Sequence, residues 1–92
     1  VSARTSGPIR HLCPYVDEID EGVVTIGWRT DYVETFELHS LRAYLDTFAD
    51  VQISHEALVN QIKDDLEARI GRGVTVSGKF TTAGLDCEVT AR

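Results

Sequence analysis

The 92-residue sequence predicts an α+β fold, an antiparallel four-stranded sheet with two helices on one face, in the order ββααββ. Three observations carry that prediction. Segments rich in β-branched residues, with one phase apolar, occur in the first third of the chain and again at its end. Two apolar stripes at helical spacing lie between them. A sheet of this kind offers one face to a core, and both stripes can be buried on it while the helix pair carries the chain from one hairpin to the other.

The elements follow in order. Residues 1–12 mix Ser, Thr, Gly, Pro and Arg without periodicity, which predicts an extended N-terminal arm. "GVVTIGW" (22–28) places Val24, Ile26 and Trp28 in one phase; "RTDY" supplies a turn and "VETFEL" (33–38) resumes extended chemistry, so 22–38 reads as a β-hairpin. Ser40 is the expected cap of a first helix carrying Leu41, Tyr44, Leu45 and Phe48, and "ADVQI" interrupts that pattern. Ser54 caps a second helix whose stripe is Leu58, Val59, Ile62, Leu66 and Ile70, and Gly71 ends it. "VTVSGKF" (74–80) and "LDCEVTA" (85–91) alternate at period two around "TTAG". Residues 1–92 read as a single domain.

Composition narrows the function classes. Lys plus Arg is 9 against 15 Asp plus Glu, a formal net charge of −6. Binding to nucleic acid or to an anionic membrane draws on basic surface, so neither is expected. No apolar run approaches the roughly 20 residues of a spanning helix. The two cysteines form no CxxC pair, which makes a reducing cytoplasm the expected location. A chain this short buries only about 60% of its unfolded surface, so self-association is the expected source of further burial.

Chemistry-bearing residues fall in three places. "RHLCPYVDEIDEG" (10–22) sets Cys13 ahead of four carboxylates. Cys87 lies in phase with Leu85 and Val89 on a strand and reads as core, whereas Cys13 precedes Pro14 outside any periodic segment and reads as reactive. An acidic neighbourhood opposes the thiolate unless one carboxyl serves as its proton acceptor or as a general acid. Spacing alone does not choose among Asp17, Glu18, Asp20 and Glu21. The plain alternative is a solvated acidic turn. His55 and Glu56 directly follow the cap Ser54, where a helix start would project both toward a cleft; a first-turn Glu also simply complements the helix dipole. Glu56 could accept paired donors from a guanine-like edge. In "FELHSLRAYL" (36–45), Glu37 stands at the helix entry with His39, Ser40 and Arg42 on the first turn, the setting of a phosphate site or of an ordinary cap. His11, Cys13 and His55 could ligate zinc, but a single H-x-C lacks the repeated close pairs of zinc motifs, and no metal is expected.

Taken together these pieces resemble the QueF-type nitrile reductases of the tunnelling fold. "CPYVDEID" resembles the family's "CPxTGQPD", with Cys13 and Asp20 at the family separation and the intervening TGQP replaced by Val16 to Ile19. "ELHSLRAYL" (37–45) is similar to "ESKSLKLYL", His55-Glu56 to the family's "HE", and "GKFT" (78–81) to the same stretch of "GKFTPRGG". The resemblance covers roughly residues 12 to 84. Three departures remove positive charge: His39, Ala49 and Ala83.

The resemblance implies a reduction of 7-cyano-7-deazaguanine to its aminomethyl form with NADPH. Cys13 would be the nucleophile that forms a thioimide, Asp20 the acid and base, and His55 a proton donor. Glu56 and Glu37 would hold the base, and His39, Ser40 and Arg42 the cofactor. It also implies a homo-oligomer of pentameric rings, single or stacked as a decamer. Two rivals share the residues. A QueF-like amidinotransferase would let ammonia attack the same thioimide on tRNA-borne base. The lost charges favour it, while Glu37, Ser40 and Arg42 favour the reductase and the acidic surface makes direct tRNA binding unexpected. A non-catalytic purine- or pterin-binding tunnelling-fold module would form no adduct.

Overall fold

The computed structural model describes residues 2–29 and 36–92. Its elements run β1 (Ser2–Leu12), β2 (Ile19–Arg29), α1 (Leu38–Asp46), α2 (His55–Ile70), β3 (Thr75–Thr82) and β4 (Leu85–Ala91). The strands form one four-stranded antiparallel sheet, as the sequence predicts, and they lie in the order β1-β2-β3-β4. None of the described helices is long and apolar enough to cross a membrane.

The first hairpin differs from its prediction. Residues 2–12 are not an arm but a full strand, paired from Ser2↔Arg29 to Leu12↔Ile19. The pattern hid it because β1 is an edge strand. Gly7 and Pro8 would weaken a central strand, yet proline is tolerated at an edge, and Arg4 and Arg10 there discourage pairing with another chain. The partner strand expected at 33–38 is therefore supplied by β1. Residues 33–35 lie outside the described ones, while Phe36 and Glu37 are not in a strand.

Helix α1 is capped by Glu37 rather than Ser40. Glu37 has extended backbone (φ −85°, ψ 126°) and its carboxylate accepts from the His39 and Ser40 backbone N–H groups at 3.0 and 2.8 Å. Helix α2 begins as expected: Ser54 Oγ accepts from the Ala57 N–H at 3.1 Å, and Gly71, at φ 96°, ends it. Leu41, Leu45 and Phe48 join Leu58, Val59, Ile62 and Leu66 against Ile9, Val24, Ile26, Trp28, Val76 and Phe80. Both apolar stripes thus close on one sheet face. Tyr44 ties the helices together by donating to Asp65 at 2.5 Å. The β3–β4 turn places Ala83 (φ 54°) and Gly84 (φ 75°) in left-handed conformations, as a two-residue hairpin requires.

A candidate active site of cysteine, histidine and aspartate

Four separate segments meet at one end of the sheet. The β1–β2 register places His11 opposite Asp20. Two residues on, the Cys13 N–H donates to the Glu18 carbonyl at 3.0 Å and draws the acidic connection closed. Behind β1, the segment between the helices runs parallel to its last residues. Leu12 donates to the Val51 carbonyl at 2.9 Å, and Ile53 donates to the Leu12 carbonyl at 3.1 Å. That short pairing delivers Ser54, and with it the start of α2, to the end of β1. On the other side β2 pairs with β3 at Gly22↔Phe80, which brings Thr82 to Asp20.

The resulting side chains form a continuous line. His11 Nδ1 lies 3.2 Å from the Leu12 carbonyl, and its Nε2 lies 3.0 Å from His55 Nδ1. His55 Nε2 lies 3.2 Å from Thr82 Oγ1, which in turn lies 3.2 Å from Asp20 Oδ1. Asp20 Oδ2 is 4.0 Å from His55 Nε2. The line is withdrawn from water: His11 is fully buried, Asp20 is 6% exposed and Cys13 8%. Phe80 stacks on the His55 ring at 4.0 Å, 11° from parallel, and meets His11 edge-on. Gly22 and Gly78 make room for that ring, since a Cβ at either would collide with Phe80. Burial holds the His55 pKa below its ordinary value; the neighbouring His11 acts in the same direction, and Asp20 and Glu56 oppose it.

Of the residues singled out in the sequence, Asp20 and His55 come together through Thr82, with Glu56 exposed on the first turn of α2 and Cys13 buried two residues beyond His11. Glu37 does not join them. It lines a cleft with Tyr44, Asp65 and Arg69, beside the far half of α2. Ten or more residues of helix separate that half from His55, roughly 15 Å at 1.5 Å per residue. Sequence reading missed the hydrogen-bonding role of His11 and both Thr82 and Phe80. His11 and Cys13 are two apart and would have shown as one face of β1 had 2–12 been read as a strand. The two cysteines also trade burial. Cys13 is buried, while Cys87, opposite Phe80 on the edge strand β4, is only partly covered. An edge strand shields its inward side chains less than the alternating pattern suggests.

His11, Asp20 and His55 offer ligand atoms within 4.8 Å of one another, the separation a metal ion would need. His11 and His55 are hydrogen-bonded to each other and Thr82 links His55 to Asp20, and among the described residues no buried side-chain polar atom lacks a partner.

A second feature lies beside it. A cleft of about 600 Å³ opens between β1 and α1, bordered by Pro8, Arg10, Glu21, Arg42, Asp46 and Ala49. Arg42 donates to Asp46 through Nε at 2.9 Å and to the Pro8 carbonyl through Nη1 at 2.7 Å. Arg10 stands 3.9 Å from Glu21. His39 and Ser40 are turned to Glu37, which takes the His39 ring nitrogen at 2.8 Å and the Ser40 hydroxyl at 3.0 Å. The donors at the α1 N-terminus are thus engaged by the chain's own carboxylate. The two guanidinium groups on the cleft are the chemistry available here to a phosphate-bearing cofactor.

Sheet, helix pair and buried cluster together define a tunnelling-fold domain with a thiol, two imidazoles and a carboxyl at one end. The fold matches the crystal structure of the archaeosine synthase QueF-Like in the apo form with a TM-score of 0.89, at 20% identity, over 98% of this chain and 90% of that one. Residues 23–92 match the family described as QueF-like protein, and the chain belongs to that family.

Among curated relatives it is 37% identical over 86 residues to the NADPH-dependent 7-cyano-7-deazaguanine reductase of Anaeromyxobacter dehalogenans (strain 2CP-C), covering 88% of this chain and 67% of that protein. The alignment leaves out too few residues to miss Cys13 and Asp20, which precede the family match. It is 36% identical over 74 residues to the enzyme of the same name from Rhodopirellula baltica, covering 79% and 60%. For that of Prochlorococcus marinus (strain AS9601), the figures are 39% over 54 residues, 59% and 39%. The chain spans between about two fifths and two thirds of the length of these relatives.

Proposed function

We propose that this chain carries the catalytic centre of a nitrile reductase that converts 7-cyano-7-deazaguanine to its aminomethyl form. The observation that carries the proposal is the buried line of His11, His55, Thr82 and Asp20 at the end of the sheet, with the buried Cys13 two residues beyond His11. The names of the relatives supply the substrate and direction. In the first half-reaction the Cys13 sulfur bonds to the nitrile carbon and one carbon–nitrogen π bond breaks. The thiol proton passes to Asp20 and from there to the nitrile nitrogen, so the thioimide is a pure addition product. Covalent attachment divides one difficult step into easier ones, and the buried carboxyl acts as both base and acid. Glu56 would accept the donor edge of the base, and His55 would supply protons.

NADPH would supply hydride. Arg42 and Arg10 are the residues of this chain that would hold its phosphates, in exchange for or alongside Asp46 and Glu21. His39 and Ser40 could contribute only on release from Glu37. Glu37, remote from Cys13 within one chain, would reach a bound base from a neighbouring subunit. That placement supports a cyclic homo-oligomer, pentameric or a decamer of stacked rings, with sites between copies. Catalysis would take place in the cytoplasm.

One observation favours a second reading, the amidine-forming enzyme: both candidate phosphate contacts are already paired with carboxylates. A chase of the preformed adduct distinguishes the two. The reductase reading expects NADPH oxidation and an aminomethyl product. Resolution by ammonium alone would transfer the chain to the amidinotransferases.

A further inference from the structure

The line from His11 to Asp20 has a property that follows from counting its protons. A backbone carbonyl only accepts, so His11 Nδ1, facing the Leu12 carbonyl, carries hydrogen. With the His11 ring neutral, Nε2 has a lone pair, and His55 Nδ1 donates to it. His55 Nε2 and Asp20 Oδ1 are left on either side of one hydroxyl, Thr82 Oγ1. That hydroxyl has one hydrogen to give. If it donates to Asp20, His55 Nε2 must donate to it, and His55 is an imidazolium facing a carboxylate. If it donates to His55, Asp20 must donate to it, and both groups are neutral. With His11 neutral, only these two arrangements satisfy every contact, and they differ by the passage of one proton.

We infer that the Thr82 hydroxyl relays protons between His55 and Asp20, reloading Asp20 after it has protonated the substrate. The inference rests on the proposed roles of Asp20 and Cys13. Thioimide formation consumes only the thiol's own proton, but turning the nitrile nitrogen into an amine takes more. Asp20 is 6% exposed and poorly placed to collect them from water. The imidazolium gives its Nε2 proton to the Thr82 oxygen while the Thr82 proton moves to Asp20 Oδ1. No bond between heavy atoms changes, and one positive charge is neutralised against one negative charge. His55, its side chain 13% exposed against 8% for Asp20, is the more exposed of the two. Burial makes its imidazolium a stronger acid than usual, which favours transfer toward Asp20. The charged or titratable groups facing His55 are His11 from β1, Asp20 from β2 and Glu56 from α2 itself. From β3 it meets the uncharged Thr82 and Phe80. Thr82 is a positioning residue in this scheme, and His11 fixes the tautomer of His55.

The experiment compares wild type, Thr82→Val and Thr82→Ser. Long-range nitrogen–proton NMR of the histidine rings reads tautomer and titration directly, with no substrate present. The relay predicts that His11 carries its proton on Nδ1 and that Thr82→Val lowers the His55 pKa, because Nε2–H loses its acceptor. Thr82→Ser should keep the wild-type titration. With nitrile base and NADPH, Thr82→Val should lower turnover on the order of 100-fold and shift its acid limb, and Ser should restore most of the rate. A His55 titration indifferent to Thr82→Val, or His11 protonated on Nε2, would overturn the relay. Absence of any adduct in the wild-type protein would instead remove the proposed function while leaving the NMR result to decide the wire.

Discussion

Asp20 and Glu37 are both carboxylates, and their settings fit them for different tasks. Glu37 is exposed and its oxygens accept from two backbone N–H groups, the Ser40 hydroxyl and the His39 ring, so its pKa is lowered to about 2. Such a group stabilises the fold where it is ionised more readily folded than unfolded. Its contribution is complete above its ordinary value of 4.5 and is lost as the pH falls toward about 2. Glu37→Gln should therefore lower the melting temperature at pH 6 and lose that effect near pH 2, a comparison thermal scans make directly. Asp20 is buried beside a hydroxyl and an imidazole, where a carboxyl can change protonation during a reaction. Asp20→Asn should slow adduct formation on the order of 100-fold with the fold retained, followed by mass spectrometry against time. At this scale the sequence was partly legible. A motif pointed to Cys13 and Asp20 and the place after a cap to His55, and the structure brings Asp20 and His55 together through Thr82. Thr82 was not legible, because a hydroxyl near the end of a strand has no pattern until the register sets it opposite Asp20.

Elements differ in how openly they announce themselves. Helix α2 was legible because a 16-residue helix with a cap, a stripe and a terminal glycine satisfies three independent criteria at once. Strand β1 was not, because its stability comes from its neighbour β2 rather than from its own composition. The helix α1 boundary moved from Ser40 to Glu37 because a carboxylate can serve two N–H groups where a hydroxyl serves one. Packing between elements makes two predictions. Ile62 is fully buried in the stripe of α2, so Ile62→Ala should cost about 2–5 kcal/mol in urea unfolding. Gly22→Ala would place a methyl group on the Lys79 carbonyl and the Phe80 ring. It should cost roughly 1–3 kcal/mol and, by displacing the ring stacked on His55, should also alter the His55 titration.

The described residues extend 42 × 21 × 18 Å, a slab whose sheet ends in β1 on one side and β4 on the other. Open edges, the remote Glu37 and the exposed Tyr15, Val16 and Ile19 around the acidic connection all support assembly. Light scattering should show a ring-sized oligomer at micromolar concentration, and a stable monomer would count against it. The central claim is that Cys13 is a nucleophile toward a nitrile. Its most direct test is the intact mass of the protein after incubation with 7-cyano-7-deazaguanine in the absence of any reductant. The account predicts a gain equal to one whole molecule of the base, mapped to Cys13, absent in Cys13→Ala and kept in Cys87→Ala. An unchanged mass in the folded wild-type protein, or a gain that persists in Cys13→Ala, would contradict it.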